Sequence, residues 1–356
     1  ARSAMASALP NTFRRLVATK LTHNFREAVE IINCELKPPT AGQVLIKTKY
    51  AGVNASDINF TAGRYKHASK PPILLGFEGV GRVVQVGPGV GDGLKVGQPV
   101  AYLADGSFSE YQCLSAGSVF PVPSIRPEFV SLLVSGLTAE LALEKVGQPS
   151  AGETVLVTGA AGGTGQFAVQ LAKLRGCRVL GTCSGEAKAR LLTALGCDRP
   201  IDYTKEKLDE VLKRECPRGV NVVYEGVGGK MFDTAVDALA THGRLIVIGF
   251  IQGYQTDQGM PRSQYLATLP ARLLVKSASV RGFFLFNFFS ELRPAFDKLV
   301  KLLEAGQLRA AVDMGRAAGG SGFQGLEAVP DAVQHLYSKS SLGKIVVDLD
   351  PDEAKL

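Results

Sequence analysis

Two groups of residues in this sequence have the types and spacing to do chemistry. The first is the glycine set Gly159, Gly162, Gly163 and Gly165. It follows the apolar run Val155–Thr158 and precedes Gln166–Lys173, whose apolar residues recur at helical spacing. Strand, glycine turn and helix in that order bring backbone amides up to a pyrophosphate, and the helix N-terminus favours its charge. The spacing is GxxGxxG rather than GxGxxG, so the flanking elements carry the reading, and an ordinary strand-to-helix turn is the alternative. The second group is Ser184 and Lys188, just past the next strand, with Tyr203 at a neighbouring strand end. A site for a bare ribose diol would place Asp or Glu there, about 20 residues beyond the glycines. Here a hydroxyl and an ammonium occupy the tip, with a phenol nearby, a set suited to a 2′-phosphate. Glu186 dissents, but from the first turn of a helix it can point outward. The expected cofactor is NADPH; the alternative reading of Lys188 is a solvated helix residue.

These groups need a parallel sheet to hold them, and the sequence from Gly152 onward has its rhythm. Strands at Cys177–Thr182, Pro200–Tyr203, Val220–Tyr224 and Arg244–Ile248 alternate with helices at Glu186–Leu195, Leu208–Arg214 and Met231–Leu239. Gly249–Val275 has no period and reads as a long active-site loop, followed by a helix over Ser290–Leu303. The preceding region differs. Arg15–Lys20, Val29–Leu36, Gln43–Val53, Phe108–Leu114 and Val119–Val122 read as short strands, and glycines punctuate Gly76–Val100 as in a curled antiparallel barrel. Pro127–Leu143 is helical, and Gly343–Leu349 returns to β character. The expected fold class is α/β: a β-rich catalytic domain at 15–145 and 306–356, and a Rossmann doubly wound parallel-sheet nucleotide-binding domain at 146–305. A flexible segment, 1–14, precedes both.

Composition excludes several classes. The net charge is +7, yet Lys and Arg are scattered without a basic tract, which argues against nucleic acid and suits an anionic cofactor or a carboxylate substrate. No apolar run approaches the ~20 residues of a membrane span. The six cysteines form no CxxC pair, so free thiols in a reducing compartment are expected. The four histidines sit in unrelated contexts and receive no catalytic role. Ala1–Arg15 is basic and rich in small residues, compatible with a transit-peptide remnant or an artificial start. Ala354-Lys355-Leu356 is one residue from the peroxisomal Ser-Lys-Leu signal, so peroxisome and cytosol both stand.

Thr158–Gly165 also fits the TGxxxGxG turn of short-chain dehydrogenases, and Tyr203–Lys207 supplies YxxxK. Position argues against that family, whose glycines open the chain and whose tyrosine follows mid-sheet. The order instead resembles the medium-chain dehydrogenase/reductase superfamily, on Ala51–Asp57 (AGVNASD) and Gly76–Gly81 (GFEGVG). Where zinc-dependent alcohol dehydrogenases of that superfamily keep a metal-binding Cys and His, this sequence has Asn54 and Phe77. Glu78 alone cannot hold the metal, so no zinc is expected. GVNASD and Gly136–Ala139 (GLTA) resemble the zinc-free quinone oxidoreductase branch, including its prostaglandin reductases. Asn24–Val29, Gly52–Asn59, Gly162–Ala168 and Asp237–Thr256 carry the resemblance to the latter.

That resemblance implies a GroES-like first domain and NADPH-dependent reduction of the 13,14 double bond of 15-oxo-prostaglandins and related enones. It also implies roles. Gly162, Gly163 and Thr164 contact the pyrophosphate, and Ser184, Lys188 and Tyr203 the 2′-phosphate. Gly226 and Ile248 line the cleft, and Tyr254 lies beside the nicotinamide ribose and the substrate oxo group. Phe283, Phe284 and Leu285 offer backbone groups to the carboxamide, and Ser341 stands near a position that is Asn in related reductases. Tyr254 is the candidate donor to the enolate oxygen, or else only positions cofactor. Asn54, Asp57 and Tyr65 are further candidates, with turn-forming and packing roles as their alternatives. Phe283–Phe289 could line an acyl pocket or form the edge of a homodimer. A quinone reductase and an NADPH-binding protein of regulatory role remain as alternatives.

Overall fold

The computed structural model describes residues 9–65, 70–263, 266–316 and 321–351. His67, most of segment 1–14 and the Ala354-Lys355-Leu356 tripeptide lie outside them. Valine-rich, glycine-punctuated sequence produces strongly curved sheets in the first third of the chain. β1 (Thr12–Ala18) pairs antiparallel with β2 (Val29–Glu35) in a small three-stranded sheet. β3 (Gln43–Gly52) is the centre of a second sheet, and β4 (Ile73–Leu74) returns to β1. β5 (Glu78–Val86), β6 (Pro99–Leu103), β7 (Tyr111–Ser115) and β8 (Val119–Pro121) extend the sheet around β3. Register shifts along β3 and β5 bend it, as bulges do. At Gly81 a Cβ would stand 2.1 Å from the Lys47 carbonyl oxygen, so only glycine permits that approach.

Residues 154–282 form a different sheet. β9 (Thr154–Val157), β10 (Arg178–Cys183), β11 (Arg199–Asp202), β12 (Val220–Glu225), β13 (Leu239–Val247) and β14 (Ser279–Gly282) run parallel in the order β11-β10-β9-β12-β13-β14. This is the Rossmann doubly wound arrangement, and the order reverses between β9 and β12, where the crevice opens. The chain then returns to the first region. β15 (Val312–Asp313) and β16 (Lys344–Asp348) join the curled sheet, with β16 antiparallel to β3 and Val346 opposite Gly52.

Residues 127–147 lie between the sheets as a helical stretch with two wide, π-type turns, Leu132–Gly136 and Leu143–Gly147. Phe129 and Leu133 from this stretch share one core with Val80 of β5, Val155 of β9, Phe167 and Phe296. Each such side chain, buried in full, stabilises the fold by roughly 1.5–3 kcal/mol. No helix among the described residues is long and apolar enough to cross a membrane.

Four segments differ from expectation. Gly249–Val275 is not a structureless loop: it contains helices at Ile251–Tyr254 and Leu269–Leu274 and a 3₁₀ turn at Leu266–Thr268. These pieces are too short to show a period, and Gly253 in the first packs closely against Pro261. β14 is polar, half-exposed edge sequence (SVRG) with no apolar run to mark it. A helix at Val329–Tyr337 precedes β16, opening on Val-Pro. β13 also begins at Leu239, which the periodicity assigned to the preceding helix; that helix spans Gly229–Asp237.

Candidate active site

A cleft of about 750 Å³ lies between the two sheets at the C-terminal ends of β9, β10, β12 and β13. Its lining brings together Asn54, Gly162, Gly163, Thr164, Ser184, Lys188, Tyr203, Gly226, Ile248, Tyr254 and Ser341. Tyr65, Phe283, Phe284 and Leu285 are not among its lining. Tyr65 packs on Phe60 at 4.9 Å between ring centroids, with Phe284 at 6.3 Å, and Phe283 stacks on Phe288 at 4.9 Å. The Phe283 N–H is committed to the Val247 carbonyl at 2.9 Å, and the Phe284 and Leu285 carbonyls accept from Asn287 and Phe288 N–H at 3.1 and 3.0 Å.

The glycine turn builds the first wall. The Gly162 N–H closes the turn onto Gly159 O at 3.0 Å, and the helix Gly165–Leu174 starts immediately after. At Gly165 a Cβ would lie 2.5 Å from Gly159 O and 2.7 Å from Ala160 Cα; at Gly163 it would lie 2.9 Å from Ser135 Oγ. The turn is as close as backbone can be. The Gly163 N–H faces the Gly343 carbonyl across a parallel bridge, and among the described residues no hydrogen bond takes the Thr164 N–H, which sits at the positive end of that helix. The Thr164 hydroxyl is occupied: it donates to Ser135 O at 3.0 Å and accepts from Tyr224 Oη at 2.6 Å. Burial pushes the Tyr224 phenol well above its ordinary value, which keeps it a donor. Thr164 therefore has its backbone, not its side chain, to offer a pyrophosphate.

At the tip of β10, Lys188 Nζ reaches Ser184 Oγ at 3.5 Å, and Tyr203 stands at the end of β11. Burial lowers the Lys188 pKa, with Lys339 adding to the effect and Asp313 opposing it. Glu186 faces away and pairs with Arg190 on the solvent side of its helix. Asp202, unmarked in the sequence, ties the turn: it accepts from Gly185 N at 3.0 Å and Thr204 N at 3.0 Å. Ser184, Lys188 and Tyr203 are donors that fit a phosphate, Glu186 is turned outward, and Glu206, which lines the same end of the cleft, is paired with Arg199.

The opposite wall consists of side chains. Asn54 precedes the short helix Asp57–Thr61, and its backbone N–H donates to Asp57 Oδ2 at 2.7 Å. Its Nδ2 donates to Glu78 Oε1 at 2.8 Å, and its Oδ1 accepts from Lys344 Nζ at 2.6 Å. Lys344 Nζ also meets Glu78 Oε1 at 2.5 Å, and the other Glu78 oxygen accepts from Val134 N at 2.7 Å. That amide is available because Val134 lies in a π-type turn, a feature that recurs at functional sites. Burial pushes the Asp57 carboxyl up to about 8; the Asn54 amide and Lys344 oppose the shift and Glu78 adds to it. Asp57 thus holds its proton to higher pH than an exposed carboxyl would. Phe77 packs edge-on against Phe60 at 4.4 Å. An amide, a phenyl ring and a carboxylate already held by an ammonium do not make a zinc donor set. Lys344 is the group that sequence reasoning missed; Gly-Lys in the tail was its only signal.

Tyr254 completes the cleft from the end of the helix Ile251–Tyr254. Its hydroxyl accepts from Phe250 N at 3.3 Å and lies against Gly249, where a Cβ would stand 2.9 Å away. Burial raises its pKa, partly offset by the Phe250 amide, so the phenol keeps its proton.

Two family models match the chain: the alcohol dehydrogenase GroES-like domain over residues 40–124 and the zinc-binding dehydrogenase over residues 163–304. The chain is 51% identical to prostaglandin reductase-3 of Mus musculus over 98% of this chain and 93% of that protein. It is 44% identical to a probable quinone oxidoreductase of Leishmania amazonensis, over 96% and 99% of the two chains. Among solved structures it resembles Escherichia coli quinone oxidoreductase complexed with NADPH, with TM-score 0.80 and 25% identity over 94% of this chain and 99% of that one.

Proposed function

The chain belongs to the medium-chain dehydrogenase/reductase family, in its quinone oxidoreductase-like branch, and we propose that it is an NADPH-dependent reductase of the 13,14 double bond of 15-oxo-prostaglandins and related enones. The observation that carries this reading is a single cleft with a backbone cradle, a Ser184–Lys188–Tyr203 phosphate corner and a protonated Tyr254, and with no zinc donor set. Similarity to prostaglandin reductase-3 over nearly the full chain supports the substrate class, and NADPH-bound structural relatives support the cofactor.

When bound, NADPH supplies the hydride that goes to the enone β-carbon. The residues of this chain do the rest. The glycine turn at Gly162 and Gly163 and the Thr164 N–H hold the pyrophosphate, and Lys188 with Ser184 and Tyr203 holds the 2′-phosphate; Gly226, Ile248, Ser341 and the 283–285 backbone orient the nicotinamide half. Negative charge collects on the substrate oxo oxygen as the carbon–carbon double bond is lost. A hydroxyl aimed at that oxygen stabilises it, and Tyr254 is the donor assigned here, with Asn54 in the same cleft and Tyr65 outside its lining, against Phe60. Proton addition at the α-carbon completes the reaction, so one hydride and one proton enter and a saturated ketone leaves. The open edge of β14, with Phe284 and Phe289 45% and 68% exposed, supports a homodimer formed through that edge.

Steady-state assays of 15-oxo-prostaglandin E2 with NADPH and with NADH test the reading. Loss of the 13,14 double bond with a preference for NADPH is expected; an intact double bond or a preference for NADH overturns it. The Leishmania relative favours quinones as a second acceptor class, which the ratio of quinone to enone turnover decides.

A further inference from the structure

Lys344 is 2% exposed, lies in the wall of the cleft and has no part in the chemistry above. Its position is set by the nucleotide side. The Gly343 N–H donates to Ala161 O at 2.9 Å, and the lysine stem runs past Gly163, where a Cβ would lie 3.3 Å from Lys344 Cδ. The ammonium then arrives between Asn54 and Glu78.

The hydrogen-bond inventory fixes the Asn54 carboxamide. An ammonium has only donors, so the atom facing Lys344 must be Oδ1; a carboxylate has only acceptors, so the atom facing Glu78 must be Nδ2. Because Lys344 Nζ also touches Glu78 Oε1, the three groups close a ring. A ring that passes through both Oδ1 and Nδ2 uses the N–H on the Oδ1 side of the amide. The other N–H points out of the ring, and among the described residues no protein group accepts it. Asn54 itself lines the cleft.

We propose that Lys344 is a positioning residue: with Glu78 it locks the Asn54 carboxamide so that the outward Nδ2–H donates to the substrate oxo oxygen, beside the Tyr254 hydroxyl. The inference rests on the enone-reductase reading. Without both charged partners, nothing distinguishes the amide's oxygen from its nitrogen, and it can turn an acceptor toward a developing negative charge.

Lys344→Met alone would bury an unpaired carboxylate and endanger folding, so the test uses the charge-free pair Glu78→Gln with Lys344→Met. Two quantities are read on wild type, the pair, Asn54→Ala, the triple variant and Lys344→Arg. One is the red shift of the 15-oxo-prostaglandin E2 enone absorption on binding to the NADP⁺ complex, which reports polarisation of the carbonyl. The other is kcat and KM. The pair is expected to lose the shift and about 10²-fold in kcat, with NADP⁺ affinity unchanged. Asn54→Ala should lose as much, the triple variant no more, and Lys344→Arg should recover most of it. A pair that keeps the wild-type shift and kcat, or a triple variant whose losses add, overturns the inference while leaving the function intact. A wild type that neither shifts nor reduces the enone overturns both.

Discussion

The two walls of the cleft are made of different material. On the nucleotide side the working groups are backbone amides, pressed together by glycines a few residues apart. On the other side they are side chains, and Lys344 and Asn54 are 290 residues apart in sequence. A backbone wall has no slack for an added atom, because what it meets is other backbone. A side-chain wall has room to rearrange but tolerates no lost partner, because its charges are out of water.

The harshest way to break this comparison is one methyl group on the nucleotide wall. In Gly165→Ala the new Cβ would meet Gly159 O and Ala160 Cα, neither of which is a flexible tip. A displacement of the turn on that scale should cost about 10²-fold in NADPH affinity, read by quenching or enhancement of cofactor fluorescence. Wild-type binding would show that the wall has slack after all. A milder test asks whether the same wall has a side-chain corner: Lys188→Ala should weaken NADPH by about 10- to 100-fold, the worth of one charged hydrogen bond. NADH should barely change. Equal losses for both cofactors would remove Lys188 from the phosphate site.

A third test lies on the other wall and reads stability rather than affinity. Asp57 titrates near 8 in the folded chain and near ~3.9 in the unfolded one. Between those values the folded protein keeps a proton that the unfolded chain has lost. Its contribution is therefore complete below pH ~4 and falls away as the pH rises through 8. Urea midpoints from pH 5 to 8 should drop more steeply for wild type than for Asp57→Asn, which has no carboxyl to titrate. Parallel curves would mean that Asp57 is ionised in the fold.

The same division explains what the sequence made legible. The glycine turn, Ser184, Lys188 and Tyr203 are short-range signals: each follows a strand whose apolar run is visible, and the sheet order does the rest. Even the outward turn of Glu186 follows from its place in a first helical turn. Asn54 was visible as a departure from a zinc ligand, but not what holds it, since Glu78 meets it through the pairing of β5 with β3 and Lys344 through that of β16 with β3. Tyr254 was placed in a loop because a four-residue helix shows no period. Val134, whose amide holds Glu78, depends on a π-type turn that apolar spacing does not distinguish from ordinary helix.

The pairing of β16 with β3 also bears on how the protein is made. Chains fold as they emerge, N-terminal parts first, so every strand of the parallel sheet is available well before Lys344 leaves the ribosome. Until it does, the nascent chain carries a nucleotide fold with its glycine turn facing solvent, and the Glu78 carboxylate has no ammonium to meet. The hydrogen bond from Gly343 N–H to Ala161 O then ties the glycine turn to the wall that carries Lys344. The Asn54 amide therefore has both of its charged partners only once β16 has paired with β3.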